Sequence, residues 1–263
     1  MAGLPDLAVI LVGAAGYSYD DWRGHFYPAD LPKTKFLEYY AERLPAVEIN
    51  YTYYQPPTRR TMEAMRARTK GRLHFAVKLH GSMTHDRTAA PEAYGEFVAA
   101  CAPLAEAGVL GALLAQFPFS FHATGESCDY LRRLRDQLPG QDVVVEMRNA
   151  AWVKQETFDL LKELNFGWCN VDEPRLRGLM PPTALATSDV GYVRFHGRNA
   201  AKWFQHEHAY ERYDYLYSED ELREWVPRIR QIANLTKRTY VFTNNHFESK
   251  AAINALMLIT LLR

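Results

Sequence analysis

Cysteine is scarce in this sequence, and the three cysteines present are widely separated. Cys101, Cys128 and Cys169 are an odd number and include no Cys-x-x-Cys pair. This argues against a disulfide framework and against a cysteine zinc site. Free thiols suit a reducing compartment, so we expect a cytoplasmic protein.

The sequence also has no excess of charge of either sign. Acidic and basic residues balance at 31 each, so no bulk basic character requires nucleic acid or an anionic membrane as the partner. A local basic patch remains compatible with this neutral total.

Long apolar runs are absent as well. The segment Ala251 to Leu262 contains Asn254 and Thr260 and is shorter than the roughly 20 residues that span a bilayer. The stretch Leu7 to Val12 follows Asp6 rather than a basic region, so we expect a first strand there, not a signal peptide. No membrane association is expected.

Gly/Ser-rich linkers and low-complexity segments do not divide the chain, so we expect one domain over residues 1–263. Eight strand-like segments alternate with about seven helical patterns, and several of the segments are apolar at the start and polar at the end. The segments are Val9–Gly13, Ala46–Asn50, Leu73–His80, Val109–Phe117, Val143–Arg148, Phe166–Val171, Tyr192–Arg198 and Thr239–Thr243.

This alternation predicts a TIM-like (β/α)8 barrel, and a weak pattern between Asp172 and Asp189 predicts an irregular unit between strands six and seven. An open doubly wound sheet is the competing architecture. It is disfavoured because no Gly-x-Gly-x-x-Gly run follows the first strand and because polar strand ends are spread over nearly all strands.

The sequence makes a specific prediction for each of two helical segments. Pro103 should kink or split the helix that runs from Pro91 to about Ala107. Ser218 and Glu221 form a capping box that should open one helix with a buried stripe ending near Ala233.

The polar strand ends resemble a known family over essentially the whole chain. The matching stretches are Gly16–Trp22 with Phe26–Pro28, Val47–Asn50 with Tyr53–Tyr54, Lys78 with Thr84–His85, Gln116–Pro118, Glu146–Arg148 with Trp152, Arg194–Arg198, Arg212–Tyr215 and Asn244–His246. They are similar to the signature of the YecE-like family, domain of unknown function 72. The resemblance implies a TIM-like barrel and carries no reaction. Asn149 and Phe119 depart from the family pattern, where a histidine and a second proline are expected.

Side-chain alternation along the strands predicts one shared site, because inward residues at the carboxyl ends of barrel strands converge on one mouth. Three carboxylates and three cations are expected there: Glu48, Glu146, Asp172, Lys78, Arg148 and Arg194. They could form a structural lattice of ion pairs. Since burying six charges is costly, a ligand-binding role is favoured.

An anionic ligand suits these residues, because arginine offers a fork that matches phosphate or carboxylate. Barrels often bind phosphate after strands seven and eight, near a helix N-terminus. Asn244 and Asn245 lie there, and capping of the last helix is their alternative role. The predicted ligand-binding set is Tyr17, Lys78, His85, Gln116, Arg148, Asp172, Arg194, Arg198, Asn244 and Asn245.

The catalytic candidates are Glu146, His196 and Glu48, with His196 or His85 as the general base and Glu146 as the acid. Together with Asp172, these side chains are also of the types that bind divalent metals. No local metal motif such as His-Glu-x-x-His indicates one, so the cofactor stays open.

The sequence is therefore compatible with two functions. The first is an enzyme of hydrolase or lyase type that holds a phosphorylated or otherwise anionic substrate. The second is a non-catalytic protein that recognises the phosphodiester backbone of nucleic acid, since aromatic residues interleaved with basic ones also hold single strands. A phosphodiesterase would combine the two.

Overall fold

The computed structural model describes residues 9–263 as one closed barrel of eight parallel strands. The strands are β1 Val9–Ala15, β2 Ala46–Ile49, β3 His74–Lys78, β4 Leu110–Gln116, β5 Val143–Glu146, β6 Phe166–Asp172, β7 Val190–Phe195 and β8 Arg238–Thr243. Leu7 and Ala8, at the start of the apolar stretch expected to form the first strand, lie outside the described residues.

Helices follow most strands. They are α1 Phe36–Ala41, α2 Arg59–Arg68, α3 Gly81–Thr84, α4 Pro91–Glu106, α5 Gly125–Gln137, α6 Gln155–Glu163, α7 Glu219–Arg223, α8 Val226–Ala233 and α9 Lys250–Leu262. This arrangement confirms the predicted TIM-like (β/α)8 fold. Because helices cover the sheet on the outside and side chains fill it on the inside, the strands are buried on both faces and read as apolar runs.

The barrel closes between β1 and β8, which pair in parallel from Val9 with Arg238 to Ala14 with Thr243. Below the mouth the interior is filled by Tyr240 and Phe242, whose rings stack with centroids 6.1 Å apart. Gly111 leaves room for this packing, since a Cβ atom there would lie 2.6 Å from Cζ of Tyr240. The interior beneath the mouth is therefore packed with side chains, as is usual in barrels of this kind.

The connection between β6 and β7 is irregular, as predicted. Residues 173–189, all of them described, contain no helix. The side chain of Asn170 holds this connection against β6: its Oδ1 accepts from Leu185 N, and its Nδ2 donates to Leu185 O, both at 2.9 Å.

Pro103 does not split helix α4, because proline removes only one internal hydrogen bond there and its ring is buried. The prediction of one helix after Ser218 needs correction. The capping box of Ser218 and Glu221 is present, but the segment splits into α7 and α8. Pro227 lies in the first turn of α8, where proline is tolerated, and it cannot continue the preceding helix.

Candidate functional site

A cluster of buried polar side chains closes the interior just below the mouth. Arg194 on β7 donates from Nη2 to Glu48 Oε1 at 2.6 Å and from Nη1 to Glu146 Oε2 at 2.5 Å. Tyr192 donates to the other oxygen of Glu48 at 2.8 Å. His196 Nε2 lies 3.0 Å from Glu146 Oε1. Strands β2, β5 and β7 thus bring together residues that are far apart in the sequence.

The protonation states of this cluster follow from its charges. Burial acts to raise the pKa of Glu146, but Arg148, Arg194 and His196 together hold it well below its usual value. Burial and the charge of Arg148 lower the pKa of His196 to about 3, so its imidazole is neutral. An ionised Glu146 can only accept, so Nε2 of His196 donates to it, and Nδ1 accepts from Asn244 Nδ2 at 3.1 Å.

His196 is therefore poorly suited to the role of general base that its sequence position suggested. Both of its ring nitrogens are engaged, and the side chain is fully buried beneath the mouth. Glu146 is surrounded in the same way, since its two oxygens are shared by Arg148, Arg194 and His196. Both residues are placed to orient the arginines.

Above the cluster lies a cavity of about 520 Å³ at the mouth of the barrel, within the size range of small-molecule sites. Four cations line it, namely Lys78, Arg148, Arg194 and Arg212, and no carboxylate among the described residues does so. The uncharged polar and imidazole residues of the wall are Asn50, His85, Gln116, Asn244 and His246.

Lys78, at the end of β3, reaches the cavity from the opposite side to Arg194. Its Nζ donates to Gln116 Oε1 at 2.7 Å and lies 4.5 Å from the centre of the Tyr53 ring. Burial and the charge of Arg194 lower the pKa of Lys78 to about 8. His85 packs edge-on against Tyr53, and burial together with the charge of Lys78 lowers its pKa to about 4.

Arg148 has a partner that sequence reasoning missed. Its Nε lies 2.5 Å from Glu146 Oε1, and its Nη1 lies 3.7 Å from Oε2 of Glu173, a fully buried carboxylate just after β6. Glu173 Oε1 accepts from Met180 N at 2.7 Å, while Oε2 has no hydrogen-bond partner among residues 9–263. Burial raises the pKa of Glu173 to about 7, and Arg148 opposes this shift only in part.

The prediction that Asp172 points into the barrel is wrong. Its carboxylate accepts from Trp225 Nε1 at 2.7 Å and from Tyr217 Oη at 2.8 Å, and it forms two hydrogen bonds with Arg198. Asp172 and Arg198 thus contact the helical layer, outside the cavity. The alternation on β6 could have revealed this, because Trp168 shares a face with Asp172 and packs against Phe158 of α6.

Two further candidates are also outside the cavity. Asn245 is buried and donates to Tyr215 O at 2.7 Å and to Asn254 Oδ1 at 2.8 Å, so it fastens α9 to the loop after β7 and does not cap the helix. Tyr17 lies in a neighbouring depression, whereas Tyr19 lines the mouth. A tyrosine-rich loop gives no sequence signal for which ring faces the mouth.

The arrangement does not assemble the metal site that the sequence left open. Among residues 9–263, no group of three or more His, Cys, Asp or Glu side chains is close enough to hold a metal ion. The arginines occupy the carboxylate oxygens that such an ion would need.

Comparison with known proteins gives a consistent result. The family model described as protein of unknown function DUF72 matches residues 11–263. The chain belongs to the DUF72 family. It is 28% identical to the UPF0759 protein YunF of Bacillus subtilis, over 97% of this chain and 95% of that one.

Two DUF72 crystal structures have the same fold. A DUF72 protein from Thermotoga maritima is 40% identical with a TM-score of 0.90, over 97% of this chain and 99% of that one. A DUF72 protein from Enterococcus faecalis is 27% identical with a TM-score of 0.86, over 97% and 95%. The resemblance found in the sequence is therefore confirmed.

The DUF72 stretches quoted from the sequence surround the cavity. Residues from eight separate strands or loops line this cavity. They include Tyr19, Asn50, Lys78, Gln116, Arg148, Arg194, Arg212 and Asn244. At the two departures from the pattern, Phe119 lines the cavity, and Asn149 caps the 3-10 turn Ala150–Trp152 by accepting from Ala151 N at 2.9 Å. Within residues 9–263 no helix is long and apolar enough to cross a membrane.

Proposed function

We propose that the mouth of this DUF72 barrel binds a small anionic ligand, such as a phosphorylated metabolite. The observation that carries the proposal is the lining of the cavity, where Lys78, Arg148, Arg194 and Arg212 are present and no carboxylate of the described chain is. Clusters of arginine and lysine without exposed carboxylates are how proteins recognise phosphate and carboxylate groups.

The balance of charge in the site supports this proposal. Glu48 and Glu146 offset two of the positive charges, those of Arg148 and Arg194. Lys78 and Arg212 then leave a surplus of two. Glu173, whose pKa is raised to about 7, offsets at most one of them. An anion would complete this balance in a partly desolvated site, where charge interactions are stronger than in water.

The proposed activity is that of a hydrolase or lyase acting on this ligand. Three titratable groups at the cavity surface have lowered pKa values. The pKa is about 8 for Lys78 and about 4 for His85, and burial lowers that of His246. They are therefore the candidates for proton transfer. Glu146 and His196 act through the arginines, because they lie below the cavity and are fully hydrogen-bonded.

Titration calorimetry with inorganic phosphate tests the proposal. The Arg148→Gln variant removes a cation whose Nη1 is only loosely paired, at 3.7 Å from Glu173. We expect phosphate to bind the wild type and to bind this variant at least about 10-fold more weakly, since a hydrogen bond to a charged group contributes about 1.5–3 kcal/mol.

Arg132→Gln is the matched control, because Arg132 lies on α5 and pairs with Asp129 at the surface. Its phosphate affinity should equal that of the wild type at the same ionic strength. Absence of phosphate binding by the wild type, or an equal loss in both variants, would contradict the proposal.

A further inference from the structure

Lys78 differs from the other cations of the cavity in its partners. Arg148 and Arg194 each form ion pairs with buried glutamates, whereas Lys78 forms no ion pair with any carboxylate of residues 9–263. Its ammonium instead contacts a neutral amide oxygen of Gln116 and the face of Tyr53. No paired carboxylate within residues 9–263 therefore holds the proton on this nitrogen.

The chemistry of the amine distinguishes it in a second way. An arginine side chain keeps its proton in proteins, but a desolvated lysine can release one and become a nucleophile. Burial and Arg194 bring the pKa of Lys78 to about 8, whereas ion pairs raise the pKa of the surface lysines Lys202 and Lys237. Near pH 8 a large fraction of Lys78 is therefore the free amine.

We propose that Lys78 is a nucleophile that forms a Schiff base with an aldehyde or ketone carrying an anionic group. The inference rests on the proposed function, since Arg148 and Arg194 would hold the anionic group while Lys78 meets the carbonyl. All three side chains line the same cavity, which is large enough for a substrate of this class.

The step balances without a further reactant. The nitrogen lone pair of the free amine attacks the carbonyl carbon, and the carbonyl π electrons move to oxygen. Transfer of a proton from nitrogen to that oxygen gives a neutral carbinolamine. The ammonium of Lys78 releases one proton to water before the attack, and water returns one proton to the carbinolamine hydroxyl. Departure of water, driven by the nitrogen lone pair, then gives a protonated imine. One ammonium is thus replaced by one iminium, so the site has the same charge before and after the reaction.

Pyridoxal 5′-phosphate is a suitable probe, because it joins an aldehyde to a phosphate, and pyridoxal is its control without the phosphate. Each is incubated with the full chain, trapped with borohydride and located by peptide mass spectrometry. We expect Lys78 to be labelled at least about 10-fold faster than the exposed Lys237 by the phosphorylated probe, with a rate that rises as the pH approaches 8. Pyridoxal should show little preference for Lys78.

Variants separate the nucleophile from the anion site. Lys78→Arg keeps the charge but cannot form an imine, so it should lose the adduct and still bind inorganic phosphate. Lys78→Met checks the result without the bulk of arginine, and circular dichroism reports whether each variant is folded. Lys33→Arg is the surface control, because Lys33 pairs with Asp20 and does not line the cavity, and it should be labelled at Lys78 like the wild type.

Two outcomes would overturn the Schiff-base proposal, and only the second would also overturn the proposed anion site. Labelling of Lys78 no faster than that of Lys237, in a protein that binds inorganic phosphate, would reject the Schiff base and leave the anion site intact. Absence of phosphate binding, with no preference for Lys78, would reject both proposals.

Discussion

At the scale of single residues, Arg194 shows why the site is rigid. It is almost fully buried and its two terminal nitrogens each meet a different glutamate. Removing one partner of such a buried pair costs about 3–5 kcal/mol, because the other charge is left uncompensated. Glu48 and Glu146 thus hold Arg194 in one orientation at the wall of the cavity, and a ligand meets a cation that does not need to reorganise.

Glu173 gives a pH-dependent prediction. Its pKa is about 7 in the folded chain and 4.5 in the unfolded one. Between these pH values the carboxyl of Glu173 holds a proton in the folded state that it has released in the unfolded state. The free energy of unfolding therefore falls as the pH rises, and Glu173 destabilises the folded protein most above pH 7. Glu173→Gln should therefore stabilise the protein by about 2 kcal/mol more at pH 8 than at pH 5.

Urea unfolding at the two pH values measures this difference. The glutamine can still accept the hydrogen bond from Met180 N that Glu173 accepts at 2.7 Å, so packing is preserved. Glu63→Gln, at an exposed position of α2, should show no such pH dependence. Equal effects of Glu173→Gln at both pH values would show that the carboxyl is ionised throughout.

At the scale of elements, the junction of β1 and β2 depends on a tyrosine. The hydroxyl of Tyr40 on α1 accepts from Ala14 N at 2.7 Å and donates to Ala46 O at 2.8 Å, so it takes the place of a direct ladder bond. Gly13 lies beneath this bridge. The helix therefore fixes how β2 meets β1, and with it the position of Glu48 two residues further along.

Substitution of Gly13 tests this junction. A Cβ atom at Gly13 would lie 1.8 Å from Ala46 O and 3.1 Å from the Tyr40 hydroxyl, so the strands must separate. We expect Gly13→Ala to lower the free energy of unfolding by about 3 kcal/mol or more. Chemical denaturation monitored by circular dichroism gives this value.

Gly95→Ala is the matched control in the interior of α4. Gly95 is exposed, and a Cβ atom there would have no atom of the described part of the chain within 4 Å. Since alanine favours a helix, this variant should be more stable than the wild type by about 0.5–1 kcal/mol. A similar loss of stability in both variants would refute the role assigned to the strand junction.

At the scale of the whole molecule, positive charge is concentrated at one place on a chain that is neutral in total. Exposed aromatic rings also line the cavity at the barrel mouth. Tyr54 is 82% exposed, Phe119 42% and Phe204 60%. Aromatic and basic residues together also suit single-stranded nucleic acid, which is the alternative partner. Salt dependence separates the two, because a nucleic acid would contact many phosphates and a small ligand few.

We expect a labelled 20-nucleotide DNA strand to bind more weakly than about 10⁻⁴ M at about 150 mM salt, which is the weak limit of non-specific binding. Fluorescence anisotropy over a range of salt concentrations measures this affinity. A Kd in the micromolar range, with a log–log salt slope of about −3 or steeper, would favour the nucleic-acid function over the small-ligand one.

The sequence by itself determined the barrel and much of its site. Eight strand-like runs alternating with helical patterns predicted a closed parallel sheet, and inward side chains of separate strands converge at one rim of such a barrel. Glu48, Lys78, Glu146 and Arg194 were found this way. Their positions depend on strand order and alternation, and both properties are local and periodic in the chain.

Only the tertiary structure decided which polar residues belong together. Asp172 and Glu173 are neighbours in sequence, yet one contacts Trp225 in the helical layer and the other contacts Arg148 in the barrel. A shift of one residue reverses the face of every side chain on a strand, so a polar end cannot reveal its own direction. Burial is likewise a property of the packed molecule. It makes His196 neutral and lowers the pKa of Lys78, and neither effect can be read from the residues alone.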